Sequence, residues 1–558
     1  IYDPNRGALL ADRRTDRVAL PKAFVAYEGD TVHAIGGSFR AGFGQRLTFD
    51  NSRHYTPNGL YLDDELYYTP GLERDCREAT GELATSPCAG AAGDRYVTPD
   101  FRYRESLLGV GVGAKQVALG TGWLQAYGWA SSARRSIYQY ELVDRGRCAD
   151  PHADADPACA APTVFVRPDG PLLTPTSRFA FETLSDMFEE RLAGANIAYF
   201  ADRRSSIGLT AYGASLSSLV AGIDLDTQEW SHLPTGGRYG AAGAHFSFGR
   251  DWLDVSGGAA LSFDRLPDGP GAQHGGGGPA ALLRVTATKQ RQELEATLRY
   301  YGVDYANPYA RPISQPDELD GQRARDEVGA RLRYYAADRR LAIRALLDVW
   351  YPVSSFGPDS PLGRTQPKLD SYLRADVRTT DALRLGLWVR YQDKDLLASG
   401  HAQCFEVSIE DDEHGEPISC GGRQVTTIAR AGYDVRRRLS VSALFEHQLV
   451  DDGAFDTSPF KDRFRQDVSG WLIALWRPDA KLRVRGRVRY LNEAVNDAAD
   501  DYLERSLAGL LDASVGLRGR DVLRARADVK LWLDGRDATL LRSPNPELQL
   551  WLSYEARL

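Results

Sequence analysis

Strict alternation of apolar and charged residues, repeated along the chain, is the feature that most constrains its fold. In the stretch 481–491, KLRVRGRVRYL, four arginines occupy one face of a strand, and leucine, valine and tyrosine occupy the other. The faces separate because successive side chains of a strand point to opposite sides. Similar stretches begin near residues 327, 373, 383, 523 and 548. Each is roughly 9–11 residues long, which is the length of a tilted strand that crosses a bilayer.

The connections between these stretches alternate between short charged turns and longer loops. Short turns are predicted at 249–251, 338–340, 379–381, 436–438, 477–479 and 518–520, and longer loops at 306–325, 352–367, 399–422, 451–462 and 492–503. Outer-membrane barrels combine short periplasmic turns with long extracellular loops, an apolar face toward lipid and a polar lumen. We therefore predict an all-β, transmembrane antiparallel β-barrel of about 20 strands (18–22, an even number expected). The C-terminus should be periplasmic and the long loops extracellular, in the outer membrane of a Gram-negative cell.

Two segments lack the strand pattern and are long enough to enter a lumen. Residues 1–22 are polar and rich in arginine, and we expect a periplasmic lead-in or partial plug. Residues 23–558 are then the barrel, with a short helical insertion near 174–190. The helix prediction depends on a stripe of Phe179, Phe181, Leu184, Met187 and Phe188. Because the chain starts at Ile1, we expect a mature or trimmed chain.

Composition narrows the function classes. Hydrophobic residues make up 43% and charged residues 26%, and the formal net charge is -8. No apolar stretch is long enough for a spanning helix. The acidic balance does not indicate a nucleic-acid partner. No nucleophile elbow or other catalytic spacing stands out, so we predict no catalytic residues and no enzyme activity.

The six cysteines form three pairs that are close in sequence. Cys76 and Cys88, Cys148 and Cys159, and Cys404 and Cys420 each fall within one predicted loop. We predict three disulfides, which an oxidising compartment allows. Metal binding is the alternative, but no CxxC or Cys/His spacing supports it, and we predict no metal site.

Two acidic stretches raise the question of a calcium ion. They are ADPHADADP at 149–157 and IEDDEHGE at 409–416. Clustered carboxylates can hold calcium. A solvated acidic loop is the favoured interpretation, and we expect no cofactor.

The charged face of the strands supplies the candidate pore-lining residues. They are Arg40, Arg331, Arg333, Arg374, Asp376, Arg384, Arg390, Arg483, Arg485, Arg487, Arg489, Arg524, Arg526, Asp528 and Lys530. One interpretation is a selective pore. The other is that these charges form ion pairs across the lumen and merely solvate the barrel interior.

Three segments resemble a known family. They are FRAGFGQRLTF at 39–49, SSARRSIYQYEL at 131–142, and 182–216, which contains GANIAYF and IGLTAYG. Together they are similar to the barrel portion of the helix-hairpin-helix outer-membrane proteins of Bacteroidetes and myxobacteria. Phe43, Gly44, Gln45 and Leu47 match that family's FGQGL strand, with Arg46 in place of the usual glycine. Further matches are Gly194, Ala195, Asn196, Tyr199, Ile207, Gly208, Leu209 and Thr210. The helix-hairpin-helix module, which would imply DNA contact, is absent from these residues.

These observations lead to one function prediction and two alternatives. We predict a non-enzymatic outer-membrane channel or translocation barrel with a charged lumen, part of a larger envelope complex. Its expected partners are outer-membrane lipid, lipopolysaccharide and the proteins of that complex. The alternatives are a structural membrane anchor with a plugged lumen, and an exporter of an acidic polysaccharide, which the arginine rows would suit.

Overall fold

The computed structural model describes most of the barrel wall and parts of the connections. The described residues are 2–3, 8–9, 23–52, 54–63, 106–138, 142–144, 183–218, 225–227, 237–265, 276–314, 324, 326–353, 367–393, 396, 423–436, 438–451, 464–479, 481–492, 495, 505–517, 521–533 and 546–555.

The described secondary structure consists of strands. In chain order they are β1 (Tyr2–Asp3), β2 (Ala8–Leu9), β3 (Phe24–Glu28), β4 (Val32–Phe43), β5 (Asn58–Leu62), β6 (Leu107–Leu119), β7 (Gly122–Tyr138), β8 (Leu142–Asp144), β9 (Thr183–Phe200), β10 (Ser206–Ser218), β11 (Leu225–Thr227), β12 (Arg238–Arg250), β13 (Leu253–Phe263), β14 (Pro279–Lys289), β15 (Gln292–Tyr301), β16 (Glu327–Ala337), β17 (Leu341–Tyr351), β18 (Lys368–Arg378), β19 (Leu383–Asp393), β20 (Arg423–Arg436), β21 (Leu439–Asp451), β22 (Phe464–Trp476), β23 (Leu482–Asn492), β24 (Arg505–Gly516), β25 (Val522–Trp532) and β26 (Glu547–Glu555). Among the residues listed above, no helix is long and apolar enough to cross a membrane.

The wall is a transmembrane antiparallel β-barrel whose strands follow one another in chain order from β3 to β26, except that β8 and β11 pair with each other in a separate two-stranded sheet. The described part of the wall contains 22 strands, or 21 if β5 and β6, which share the place beside β4, are counted as one, and both counts lie within the predicted range. The C-terminal part of β4, from Phe39 to Phe43, pairs with β5, and its N-terminal part, from Val32 to Phe39, pairs with β6. Strand order places β26 beside β3, although the register pairs of the described residues do not join these two strands. Strands β3 and β26 both run toward the end of the barrel that carries the short turns. They are therefore parallel to each other and cannot pair in the antiparallel manner of the other strands.

The two faces of the wall differ as the alternation predicts. Leu298, Leu387 and Leu472 are 56%, 52% and 53% exposed on the outer face. Thr297 and Arg299, which flank Leu298 in the chain, are buried on the inner face. Exposed apolar side chains recur on strands around the wall, and an outer face of this kind is stable against lipid and not against water.

Aspartate side chains fix several of the short turns. Asp338 accepts hydrogen bonds from the backbone N–H groups of Arg340 and Leu341, at 2.6 and 2.8 Å. In the same way, Asp479 accepts from Lys481 and Leu482, both at 2.7 Å. These backbone hydrogen bonds lower the pKa of both exposed carboxyls. These hydrogen bonds stabilise tight turns at two of the positions where the sequence predicts short turns.

The structure corrects the prediction of a helix near 174–190. Residues 183–190 belong to strand β9, and 174–182 lie outside the described residues. The apolar stripe is overridden by pairing on both sides, because Leu184 lies opposite Ile137 of β7 and Phe188 opposite Ser218 of β10. Tertiary hydrogen bonding decides the conformation here, as it often does against a local pattern.

Most of the predicted lead-in at 1–22 also lies outside the described residues. Its described part is the pair of two-residue strands β1 and β2.

Candidate functional site: two loops inside the barrel

Strand β4 ends where the chain turns into the barrel. Gly44 and Arg46 have φ values of +57° and +67°. A Cβ atom at Gly44 would collide with the ring of His245 on β12, so this turn requires glycine. Arg46 adopts the left-handed backbone conformation. Its Nε donates a hydrogen bond to Asp50 Oδ2 at 2.7 Å. Residues 44–57 therefore fold inward instead of extending β4.

Side-chain hydrogen bonds tie the returning chain to β4. Asn51 donates its N–H to the carbonyl of Ala41 at 2.9 Å and accepts the N–H of Ala41 on Oδ1 at 2.7 Å. Asp50 Oδ1 accepts from both the N–H and the hydroxyl of Ser52, at 2.9 and 2.6 Å. Asp50 and Asn51 are buried. Their side-chain oxygens accept hydrogen bonds, as burial of polar groups requires.

A second segment, 302–314, comes from the connection between β15 and β16 and packs on the first. We call 44–57 and 302–314 the inner loops. Asn307 Nδ2 donates to the carbonyls of Leu47 and Thr48, each at 3.0 Å. The hydroxyl of Tyr305 also donates to the Leu47 carbonyl, at 2.6 Å. Arg311 N donates to the Arg46 carbonyl at 2.9 Å.

An aromatic cluster joins the inner loops to the wall. The Phe49 ring is stacked on Tyr309 with a centroid distance of 4.6 Å. It also lies 5.0 Å from Trp129 on β7 and 5.1 Å from Tyr212 on β10. Phe49 itself is fully buried. Aromatic contacts of this kind contribute about 0.5–1.5 kcal/mol each beyond the burial of their area.

A buried carboxylate provides a polar connection beside the cluster. Glu190 on β9 accepts a hydrogen bond from the Tyr309 hydroxyl at 2.7 Å, and another from the hydroxyl of Tyr239 on β12. Both Glu190 and Tyr239 are completely buried. The loop and two wall strands are thus held through one side chain.

Small residues of the wall make room for the inner loops. A Cβ atom at Gly243 of β12 would collide with the hydroxyl of Thr48. A Cβ atom at Gly258 of β13 would lie 3.4 Å from Leu47 Cδ1 and 3.6 Å from Gln45 Cβ. These glycines allow the loop backbone to lie close to the sheet.

Tyr55 shows which face of the wall is inside. Its hydroxyl donates to Glu295 Oε1 at 2.7 Å, and its ring lies under Arg284 and Arg333, at 4.7 and 5.4 Å. Partial burial, followed by the hydrogen bond to Glu295, raises the pKa of the Tyr55 phenol. Because Tyr55 belongs to an inner loop, the charged face of β14–β16 is the inner face.

Register pairs extend this assignment around the wall, because paired residues share a face. The series runs Arg333, Leu346, Tyr372, Arg390, Thr426, Gln448, Asp467. Trp471 has the parity of Asp467 and pairs with Arg489, which continues to Ala508 and Lys530. The candidate residues on this face are Arg331, Arg333, Arg374, Asp376, Arg384, Arg390, Arg483, Arg485, Arg487, Arg489, Arg524, Arg526, Asp528 and Lys530. Their role as the lining of a conducting pore is still a prediction.

Arg40 is placed differently from the other candidates. Its guanidinium is buried at the end of β4 that leads into the inner loops, with Nε 3.0 Å from Asp63 Oδ1. Asp63 also accepts hydrogen bonds from Ser38 and Ser106, which closes the base of the connection between β5 and β6.

Ion pairs neutralise a large part of the inner face. Arg299 is completely buried and pairs with Glu327 and, at 2.6 Å, with Asp348. Arg390 pairs with Asp370 at 2.9 Å. The interpretation of the charges as mutual ion pairs therefore describes this part of the wall.

Several predicted site features cannot be placed. All six cysteines and both acidic stretches, 149–157 and 409–416, lie outside the described residues. In the part of the chain that the structure covers, no three His, Cys, Asp or Glu side chains are arranged to hold a metal ion.

Comparison with solved structures gives weak likenesses to outer-membrane β-barrels. No family model and no curated protein matches the chain. The copper transporter OprC is similar with a TM-score of 0.40 at 11% identity, over 76% of this chain and 64% of that chain. The FrpB iron transporter from Neisseria meningitidis gives 0.35 at 10% identity, over 80% and 70%. OccAB3 from Acinetobacter baumannii gives 0.34 at 10% identity, over 76% and 98%. Likenesses this weak assign no cargo to the chain.

Proposed function

We propose that the chain is a non-enzymatic outer-membrane translocation barrel whose lumen is closed by the inner loops. The observation that carries the proposal is the packing of 44–57 and 302–314 against the inner face of β7–β16. Barrels of 16–18 strands leave an aqueous channel and 22-stranded transporters have a plugged lumen, so a 21-stranded wall needs a plug if it is to be closed.

The contacts that close the lumen are numerous but individually weak. Five described hydrogen bonds join the two inner loops: from Asp50, Tyr305 and Arg311, and two from Asn307. A net contribution of about 0.5–1.5 kcal/mol for each hydrogen bond gives a closed state that a bound cargo or partner protein can open. A partner in the envelope would supply that free energy through preferential binding to the open state.

A structural anchor is the competing function, and the same contacts favour it. Phe49, Asp50 and Tyr305 are essentially completely buried. An inner loop held on every side would serve a permanently closed barrel equally well. The two proposals differ in what happens when the inner loop is removed.

The experiment replaces residues 44–57 by Asn-Gly. Phe43 and Asn58 are register partners, so a two-residue turn can join them without a change in pairing. Heat-modifiable migration on a gel first shows that the variant barrel is folded. In planar bilayers, the intact chain should be almost silent and the variant should show large, steady conductance. A folded variant that remains silent would overturn the translocation proposal in favour of the anchor.

A further inference from the structure

The inner face of β23–β25 carries a marked excess of positive charge. Its cations are Arg483, Arg485, Arg487, Arg489, Arg524, Arg526 and Lys530, and its carboxylates are Asp512 and Asp528. The inner face of β15–β17 provides the comparison within the same barrel. There the cations are Arg299, Arg331, Arg333 and Arg344, and the carboxylates are Glu293, Glu295, Glu327 and Asp348. One wall is balanced and the other is basic.

The cations of the basic wall are arranged in rows. Arg485 lies beside Asp512, which lies beside Arg526, and Arg489 lies in the row that ends at Lys530. Residues two apart on a strand are about 6.8 Å apart, so the four arginines of β23 extend over roughly 20 Å. Because the strands tilt by about 35–45°, the row extends over roughly half of the hydrocarbon thickness of a bilayer.

The two carboxylates of this wall are fewer than its seven cations. Arg524 lies 3.6 Å from Asp512, and Arg526 lies 2.7 Å from Asp528. Both carboxylates therefore already have a cation from β25, while β23 contributes four more positive charges. The described inner face of these three strands carries seven cations and two carboxylates, and Glu547 of the neighbouring strand β26 is the register partner of Lys530.

An aromatic side chain contacts two arginines of this basic inner face, which we call the basic wall (the inner face of β23–β25). The Trp471 ring lies 5.4 Å from the guanidinium of Arg487 and 5.2 Å from that of Arg489. Such cation–π contacts orient guanidinium groups without adding negative charge. A planar guanidinium held in this way can bind an oxyanion through two parallel hydrogen bonds.

The basic wall is separated from the inner loops. The contacts of the inner loops described above involve β7–β16 and not β23–β25. Removal of 44–57 would therefore leave the arginine rows unchanged, so their effect on ions can be measured in the opened barrel.

We propose that the inner face of β23–β25 is an anion track that binds the carboxylate, sulfate or phosphate groups of the cargo. The inference rests on the proposed translocation function and specifies its substrate class. Fixed positive charge along a low-dielectric wall raises the local concentration of anions and excludes cations. Small oxyanions and acidic polymers present the same groups to the track.

The test measures ion selectivity in the variant that has Asn-Gly in place of 44–57. In a KCl gradient, its reversal potential should show preference for chloride. The triple variant R485Q/R487Q/R489Q in the same background should lose most of that preference. The control R250Q removes an 81%-exposed arginine at the short-turn end and should retain it. Unchanged selectivity in the triple variant, or cation preference in the parent, would overturn the anion track.

Two further measurements separate the ligand sources and the two proposals. Block by millimolar inorganic phosphate indicates small oxyanions, and block only by an oligouronate indicates an acidic polymer; block by neither would count against the track.

If the opened barrel is folded but silent, the translocation proposal fails. Binding of a fluorescent oligouronate to the intact barrel in detergent then decides. Binding that is weakened by R485Q/R487Q/R489Q supports the track, and equal binding by both proteins contradicts it.

Discussion

The backbone N–H of Asp50 donates a hydrogen bond of 2.8 Å to the carbonyl oxygen of Tyr309. The two residues belong to different long connections, one after β4 and the other after β15. Neighbouring residues reinforce the contact, because Phe49 stacks on the Tyr309 ring and the backbone carbonyl of Arg46 accepts a hydrogen bond from the backbone N–H of Arg311. The inner loops therefore form one body, and weakening the contact between them should loosen the closure of the barrel.

Removal of the Asn307 amide tests this coupling. In N307A the Leu47 carbonyl keeps its bond from Tyr305, but the Thr48 carbonyl loses its described donor. The expected cost to the closed state is about 1–3 kcal/mol. That cost raises the open population about 5- to 150-fold. Single-channel recording should show brief openings in N307A and not in N58A, whose asparagine is exposed. A silent N307A barrel would contradict the prediction.

The buried triad of Arg299, Glu327 and Asp348 should be important for stability. R299M leaves two carboxylates in a site where all three side chains are at most 4% exposed. Removal of one partner from such a buried group typically costs 3–5 kcal/mol. Urea unfolding in liposomes should show this loss. The control R204M breaks an exposed pair with Asp254 and should cost at most about 1 kcal/mol. Equal losses would argue against burial of the triad.

Leu387 tests the assignment of the outer face. It is 52% exposed on the outer face of β19, whereas its chain neighbour Trp388 faces inward. L387R should reduce stability by about 2–4 kcal/mol if the position lies near the bilayer midplane. L387M keeps the side chain apolar and should be nearly neutral. Folding yields in liposomes measure both, and an arginine tolerated as well as methionine would mean that the faces are reversed.

The short turns should contribute an acid-sensitive part of stability. Backbone hydrogen bonds lower the pKa values of Asp338 and Asp479 on folding. A lowered folded-state pKa gives stability that is present above the unfolded value of about 3.9 and is lost as pH falls through the folded value. D338N/D479N removes the titration while the amide oxygen still accepts. Unfolding between pH 5 and pH 2 should therefore depend less on pH in this variant (a D381N control should follow the wild type). Identical profiles for all three would refute the linkage.

The alternation in the sequence predicted the wall because it reports directly which face meets lipid. KLRVRGRVRYL became β23, and the turns after β16 and β22 appeared at the predicted Asp338 and Asp479. The strand count was less well defined, because the position beside β4 is shared by the five-residue strand β5 and the longer strand β6, which a long connection separates.

The inner loops were not predicted, and the reason is physical. Phe39, Ala41, Phe43, Leu47 and Phe49 all occupy odd-numbered positions, which is the pattern of one continuous strand. Local signals were present in Gly44-Gln45-Arg46 and in Asp50-Asn51-Ser52, which favour turns. The partner Asn307 lies about 260 residues away from Leu47. No local pattern reveals that contact. The lead-in or plug predicted at 1–22 lies mostly outside the described residues, and 183–190 belong to strand β9.

A reversible crosslink in the N307A background tests the central claim most directly. An ideal Cβ at Gly258 lies 3.6 Å from Gln45 Cβ, within the 3.5–4.5 Å range of disulfides. Q45C/G258C should lock the first inner loop to β13. We predict that oxidised Q45C/G258C/N307A is silent in planar bilayers and that dithiothreitol restores the openings, while N307A alone conducts with and without the reductant. Equal conductance of the oxidised and reduced triple variant, with the crosslink verified by mass spectrometry, would show that movement of this loop does not open the barrel.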